Sequence, residues 1–170
     1  MVRLSVVQVL PALNGGGVER GTLEIARELI QRGHRSVVIS AGGRLVPELL
    51  REGSEHLTWA LGVKSPWTLR WILPLRRWLS EQRLDILHVR SRLPAWIAWL
   101  AWRGMDAATR PHFVTTVHGL YSASRYSAIM TRGERVIAVS ETVCAYLQRH
   151  YPGLPAERIQ VIQRGVDPAA

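Results

Sequence analysis

Lysine is almost absent from this sequence: Lys64 is the only one in 170 residues, so arginine carries nearly all of a formal net charge of +9. That scarcity reflects the codon use of a GC-rich bacterial gene and says nothing of function. Cysteine is as rare. Cys144 alone excludes an internal disulfide and any cysteine-rich metal site, so no oxidising compartment is required and the cytoplasm is the expected location. No uncharged apolar stretch is long enough to cross a bilayer, the apolar part of LPAWIAWLAW reaching about half of the roughly 20 residues needed. The N-terminal MVRLSVVQVLPALNGGG lacks a small-x-small cleavage site and runs straight into structure, so it does not read as a signal peptide. A protein that is soluble, or that rests on a membrane surface, is what these absences leave.

Other gaps narrow the chemistry. Arg20-Gly21-Thr22 does not complete the Walker pattern, which needs a lysine. The dinucleotide fingerprint also fails, because Val18, Glu19 and Arg20 follow Gly15-x-Gly17 without the third glycine, and VVISAGG ends the second strand without a carboxylate for a ribose. The six histidines show no metal-ligand spacing with a carboxylate, and no metal site is expected. Positive charge favours anionic partners, but the arginines are scattered and no nucleic-acid-binding motif is present, so nucleic acid is not an expected partner.

What is present is a regular alternation of strand-like and helix-like segments. Residues 3–10 read as a buried strand and 18–32 as a helix closed by Gly33. A strand over 34–40, a short helix over 44–53 and a strand over 56–62 follow. A Trp- and Arg-rich helical stretch at 66–83 precedes a strand over 84–90, a helix over 94–104 and a strand over 112–118. An irregular segment, a strand over 135–140, a helix over 141–151 and a strand over 158–164 complete the chain. Continuous apolar strands separated by helices predict an α/β fold, a doubly wound Rossmann-like parallel sheet with helices on both faces, formed by one domain over 1–170.

Such sheets bind ligands at the carboxyl ends of their strands. Gly15, Gly16 and Gly17 stand at the first of these, where close backbone approach and a helix N-terminus suit phosphate, although a tight turn alone would explain them. His118 ends FVTTVH, placed to bond a sugar hydroxyl or phosphate or to move a proton, or simply to bond a neighbouring carbonyl. Arg90 and Arg92 flank Ser91 at another strand end, with guanidinium forks suited to phosphate or carboxylate. His88 lies mid-strand and reads as core, while His56 and His150 read as surface positions.

Five segments in order carry a family resemblance: NGGGVERGTLEIARELIQRGH, DILHVRSRLPAW, FVTTVHGLYS, IMTRGERVIAVSE and VIQRGVD. Together they resemble the N-terminal domain of a GT-B-fold, retaining glycosyltransferase of family 4, of the bacterial envelope polysaccharide or lipopolysaccharide type. The resemblance implies that the amides of Gly15–Gly17 approach the donor diphosphate. It makes His118 the residue at the reaction centre, and it places Arg90, Arg92, Tyr121, Ser140 and Glu141 along the acceptor side of the cleft. It further implies a nucleotide-diphosphate sugar as donor, no cofactor or metal, a glycan or lipid-linked acceptor, and a second domain that carries most donor contacts and lies outside these residues. The chain alone is then expected to be inactive, and the glycine loop to lie open with no tight ligand of its own. A binding-only module of the same fold is the alternative.

The stretch 64–83 leaves two readings open. Trp67, Trp71, Leu75, Trp78 and Leu79 with Arg70, Arg76 and Arg77 would suit a helix resting on an anionic inner-membrane surface. The same pattern would suit a helix packing its tryptophans on the sheet, with Pro74 kinking or splitting it. Trp96, Trp99 and Trp102 read as core.

Overall fold

In a computed structural model that describes residues 2–163, the alternation becomes a seven-stranded sheet. The strands are β1 (Ser5–Val9), β2 (Arg35–Ser40), β3 (Glu55–Thr58), β4 (Ile86–Val89), β5 (His112–Val117), β6 (Arg135–Ala138) and β7 (Ile159–Val161). All neighbours pair in parallel, in the order β3-β2-β1-β4-β5-β6-β7. The helices are α1 (Gly17–Gln31), α2 (Val46–Arg51), α3 (Ile72–Gln82), α4 (Arg92–Arg103) and α5 (Glu141–His150). The expected α/β fold is therefore present. The end of VIQRGVD, from Arg164 on, lies outside the described residues.

The strand order dictates where the helices go. From β1 the chain steps outward through β2 to β3, then returns across the sheet to β4 and steps the other way to β7. Right-handed crossovers then put α1 and α2 on one face and α3, α4 and α5 on the other. The core divides accordingly. Leu23 and Ala26 of α1 and Leu49 of α2 pack with Leu10, Leu13, Val38 and Leu45. Leu75 and Leu79 of α3, Ala98 of α4 and Leu147 of α5 pack with Val37, Ile39, Leu87, Phe113 and Val136 on the opposite side. Successive residues of one strand, Val37, Val38 and Ile39, alternate between the two clusters, as a pleated strand requires.

Coverage of the α1 face is incomplete. Among the described residues no helix lies over β4–β7 on that side, so this face is covered by helices over only part of its width, whereas the α3–α5 side packs across the sheet.

Three boundaries differ from the sequence expectation for definable reasons. The third strand stops at Thr58, which pairs with Ser40 at the end of β2, the only neighbour of this edge strand. Trp59 then stacks on Trp71 with ring centroids 5.3 Å apart. The stretch 66–83 is split into a 3₁₀ segment, Pro66–Trp71, and α3. Pro74 therefore sits in the first turn of α3, where its missing N–H removes no helical bond. Helix α4 likewise takes Pro94 into its first turn by starting at Arg92.

The tryptophans sort by face. Trp71 and Trp78 pack against Trp59 beside the core, while Trp67 is 76% exposed, with Leu69 and Leu73 at 57% and 69%. Trp102 is buried and donates to the Pro111 carbonyl, and Trp96 and Trp99 are half-buried.

Candidate active site

The uncovered half of the α1 face is the floor of a cavity of about 630 Å³ at the carboxyl ends of the strands. Gly17, Val18, Gly21, Glu24 and Ile25 of α1 form one wall. His88 and Arg90 from β4 and its end, and Thr116 and His118 from β5 and its end, supply the polar floor. Ile137, Val139 and Ile162 line the far side, with Gln163 beside them.

The sheet register explains the polar floor. Val38, Gln8, His88 and Val114 form one cross-strand row on the α1 face, and Thr116 pairs with Ile137 two residues further along the same face. Arg90 is 4% exposed and donates from Nη1 to the Gln8 side-chain carbonyl at 3.1 Å. Gln8 in turn donates to the Thr22 carbonyl of α1 at 3.1 Å. One hydrogen-bonded chain thus ties the buried guanidinium to the helix that forms the cavity wall. A buried guanidinium is a strong field source for an anion. His88 lies beside it, its Nε2 2.6 Å from Thr116 Oγ1. Burial, reinforced by the charges of Arg90 and His118, pushes the His88 imidazole down to about 3, so it is neutral at ordinary pH.

The glycine loop is clasped rather than open. The Glu19 carboxylate accepts hydrogen bonds from the amides of both Gly15 and Gly16, half of a capping box, since a glycine cap has no side chain to return the bond. On the other side Arg44 donates to the Asn14 carbonyl. Gly15 has φ +129°, which favours glycine, and it lies against the Arg44 guanidinium. Gly43 at φ +144° similarly lies against the Leu13 carbonyl, locking the loops after β1 and β2 together. The Gly17 and Val18 amides belong to the first turn of α1 and need no partner inside the helix; both residues line the cavity.

The other candidates occupy a different neighbourhood. Arg92 points away from Arg90, donating to Ser127 at 3.2 Å with its guanidinium over the rings of Tyr121 and Tyr126 at 4.8 and 5.4 Å. The Tyr121 hydroxyl accepts from the His118 amide at 3.4 Å, and Tyr146 donates to the Tyr121 carbonyl. Ser140 caps α5, its Oγ accepting from the Val143 amide at 3.2 Å, and Glu141 is exposed in the first turn. The structure therefore brings Gly17, Arg90 and His118 together around one cavity. It groups Arg92 with Tyr121 as an aromatic shelf behind it and gives Ser140 a capping bond.

Sequence reasoning missed Gln8, His88 and Thr116. A signal was available: Gln8 interrupts VVQVL and His88 interrupts ILHV, polar residues in strands otherwise built for burial. His56, expected at the surface, is half-buried with Nε2 2.8 Å from Ser40 Oγ, and desolvation lowers its pKa. Packing of β3 against β2 brings it there. His150 is exposed, its ring against that of Tyr146. Among the described residues no group of three or more His, Cys, Asp or Glu could hold a metal ion, and no helix is long and apolar enough to cross a membrane.

Known structures share this fold. A glycosyltransferase from Rickettsia africae is 38% identical, with a TM-score of 0.78 over 97% of this chain and 44% of its own. HepE from Anabaena, solved with UDP and glucose, matches 97% of this chain and 45% of its own at 17% identity and a TM-score of 0.69. The lipopolysaccharide outer core galactosyltransferase WaaB matches 96% of this chain and 46% of its own at 14% identity and a TM-score of 0.70. At those lower identities the likeness is one of fold. The chain thus spans a little under half the length of these proteins, as the N-terminal half of a GT-B fold would. No curated protein matches the sequence. The sequence profile of Glycosyltransferase Family 4 matches residues 15–170, nearly the whole chain including the clasped glycine loop and the cavity floor, and the chain belongs to that family.

Proposed function

We propose that this chain is the acceptor-side half of an enzyme that moves a hexosyl unit from a nucleotide-diphosphate sugar to a glycan or lipid-linked acceptor in envelope polysaccharide synthesis. The observation that carries the reading is the convergence of Arg90, His118 and the start of α1 on one cavity at the strand ends. Diphosphate is the ligand part that this end of the cavity suits, with a buried guanidinium on the floor and first-turn amides on the wall. Because Glu19 already holds the Gly15 and Gly16 amides, the phosphates meet those of Gly17 and Val18 first. Arg90 and the helix terminus supply positive charge to the leaving diphosphate, so the transfer is read as metal-independent.

His118, at the end of β5, is the catalytic candidate, placed to bond the transferred sugar or to exchange a proton with it. The shelf of Arg92 and Tyr121, with Ser140 and Glu141 beyond, faces the acceptor. UDP bound to HepE and the outer core substrate of WaaB support the donor and envelope readings respectively. One wall of a cleft binds without completing the transfer, so the 170 residues by themselves are inactive and need a donor-binding domain as partner. Incubating the chain with a panel of nucleotide sugars tests this. Nucleoside diphosphate should not be released, while UDP or GDP at millimolar concentration should shift the NMR resonances of Gly17, Val18 and His118. Release would overturn the inactivity, and unmoved cavity resonances would overturn the assignment of the site.

The enzyme is further proposed to work on the cytoplasmic face of the inner membrane. Trp67, Leu69 and Leu73 form an exposed apolar set beside Lys64 and Arg70. Arg76 does not join them, since it turns inward to the carbonyls of Leu100 and Ala101. Flotation with anionic liposomes should be salt-sensitive and weakened by Trp67→Ser with Leu73→Ser. Equal flotation of wild type and variant would remove the membrane from the account.

A further inference from the structure

His88 and Thr116 are buried polar groups that diphosphate chemistry does not use. They stand on adjacent strands, β4 and β5, on the half of the sheet face that no helix covers among the described residues, and both line the cavity. Their contact is short, His88 Nε2 to Thr116 Oγ1 at 2.6 Å, and His88 keeps 6% of its surface exposed. The pair is nearly buried yet lines the cavity together with Arg90 and Ile137.

The chemistry of the pair is selective. His88 is held in its neutral form by burial and by the cations beside it. Neutral imidazole offers one N–H and one lone pair, and a threonine hydroxyl offers one donor and two lone pairs. A single contact between them leaves both a donor and an acceptor to spare. A sugar hydroxyl can satisfy both kinds at once. A phosphate at neutral pH only accepts, and finds better partners in Arg90 and the start of α1. The floor therefore divides into an anion end and a polyol end.

We propose that His88 and Thr116 form a hydroxyl-reading pair that touches the sugar ring of the bound nucleotide sugar and helps to set which sugar is accepted. This rests on the reading of the cavity as the nucleotide-sugar site. The test compares UDP with UDP-glucose and GDP with GDP-mannose, titrated by NMR into the wild-type chain and three variants. Thr116→Val keeps the shape and removes the hydroxyl, Thr116→Ser keeps the hydroxyl, and His88→Phe removes both ring nitrogens.

In the wild type at least one nucleotide sugar should bind more tightly than its nucleoside diphosphate. Thr116→Val and His88→Phe should reduce that sugar-dependent advantage roughly three- to tenfold, the worth of a lost hydrogen bond. Thr116→Ser should restore it, and binding of the nucleoside diphosphate alone should be unchanged throughout. The proposal is overturned if the wild type shows no sugar advantage, or if the advantage survives in Thr116→Val. If His88→Phe does not fold, the two Thr116 variants decide. Cavity resonances that neither nucleotide moves would instead refute the parent assignment of the site.

Discussion

The α1 face of the sheet is one surface with two fates. Over β1–β3 it is roofed by α1 and α2, and Val38, Leu23 and Leu49 seal it. Over β4–β7 it has no helical roof among the described residues, and the same row of the pleat, after passing through Gln8 of β1, continues as His88. The backbone is equally regular in both halves. What separates them is the point between β1 and β4 where the chain reverses direction, because that reversal sends every later helix to the other face. Polar side chains are tolerated at the row's centre because each has a hydrogen-bond partner, Gln8 with Thr22 of α1 and Arg90, His88 with Thr116.

The contrast can be broken most violently on the roofed side. Val38→Asp puts an unpaired carboxylate among fully buried aliphatics and should cost about 5 kcal/mol, enough to abolish cooperative unfolding in a denaturant titration. Cooperative unfolding near the wild-type midpoint would mean the roof is looser than its packing implies.

A smaller effect should come from the boundary. In the unfolded chain His88 takes up a proton near pH 6.5, in the fold only near 3, so the unfolded state binds more protons between those values. The contribution of the neutral imidazole is complete above pH 6.5 and is lost as pH falls through that window, at about 1.4 kcal/mol per pH unit. His88→Phe should flatten the acid limb of a stability-versus-pH curve, and an unchanged limb would show that other groups set it.

The smallest effect belongs to the open side. Ile162 is 50% exposed, so Ile162→Asp should alter stability by no more than about 0.5 kcal/mol, measured by thermal unfolding. A loss comparable to that of Val38→Asp would erase the distinction between the two halves.

Much of this architecture was legible in the residues. Apolar runs such as SVVQV and ILHV, with glycines and prolines between helices, sufficed to place the strands and to point at Gly17, Arg90 and His118. Illegible was anything decided by which face a helix takes. The sequence reads the same whether the pleat row at His88 lies under a helix or along a cavity, so the burial of His88 was legible and its place on the cavity floor was not. The clasp of the glycine loop was hidden for a related reason: Arg44 reaches Asn14 from 30 residues away, through the packing of two loops, and no local pattern announces it. Glu19, three residues from Gly16, was within reach of a capping argument.

The stacked pair of Trp59 and Trp71, with Trp78 edge-on to Trp59, and the outlying Trp67 give the molecule an optical signature of its own. The trio is half-buried and in ring contact, so its near-ultraviolet dichroism reports on the junction of β3 with the segment that follows. Trp67 emits from water and would shift to the blue on entering an apolar phase. The two signals distinguish a surface that is merely covered from one whose anchorage has come apart, with no label added.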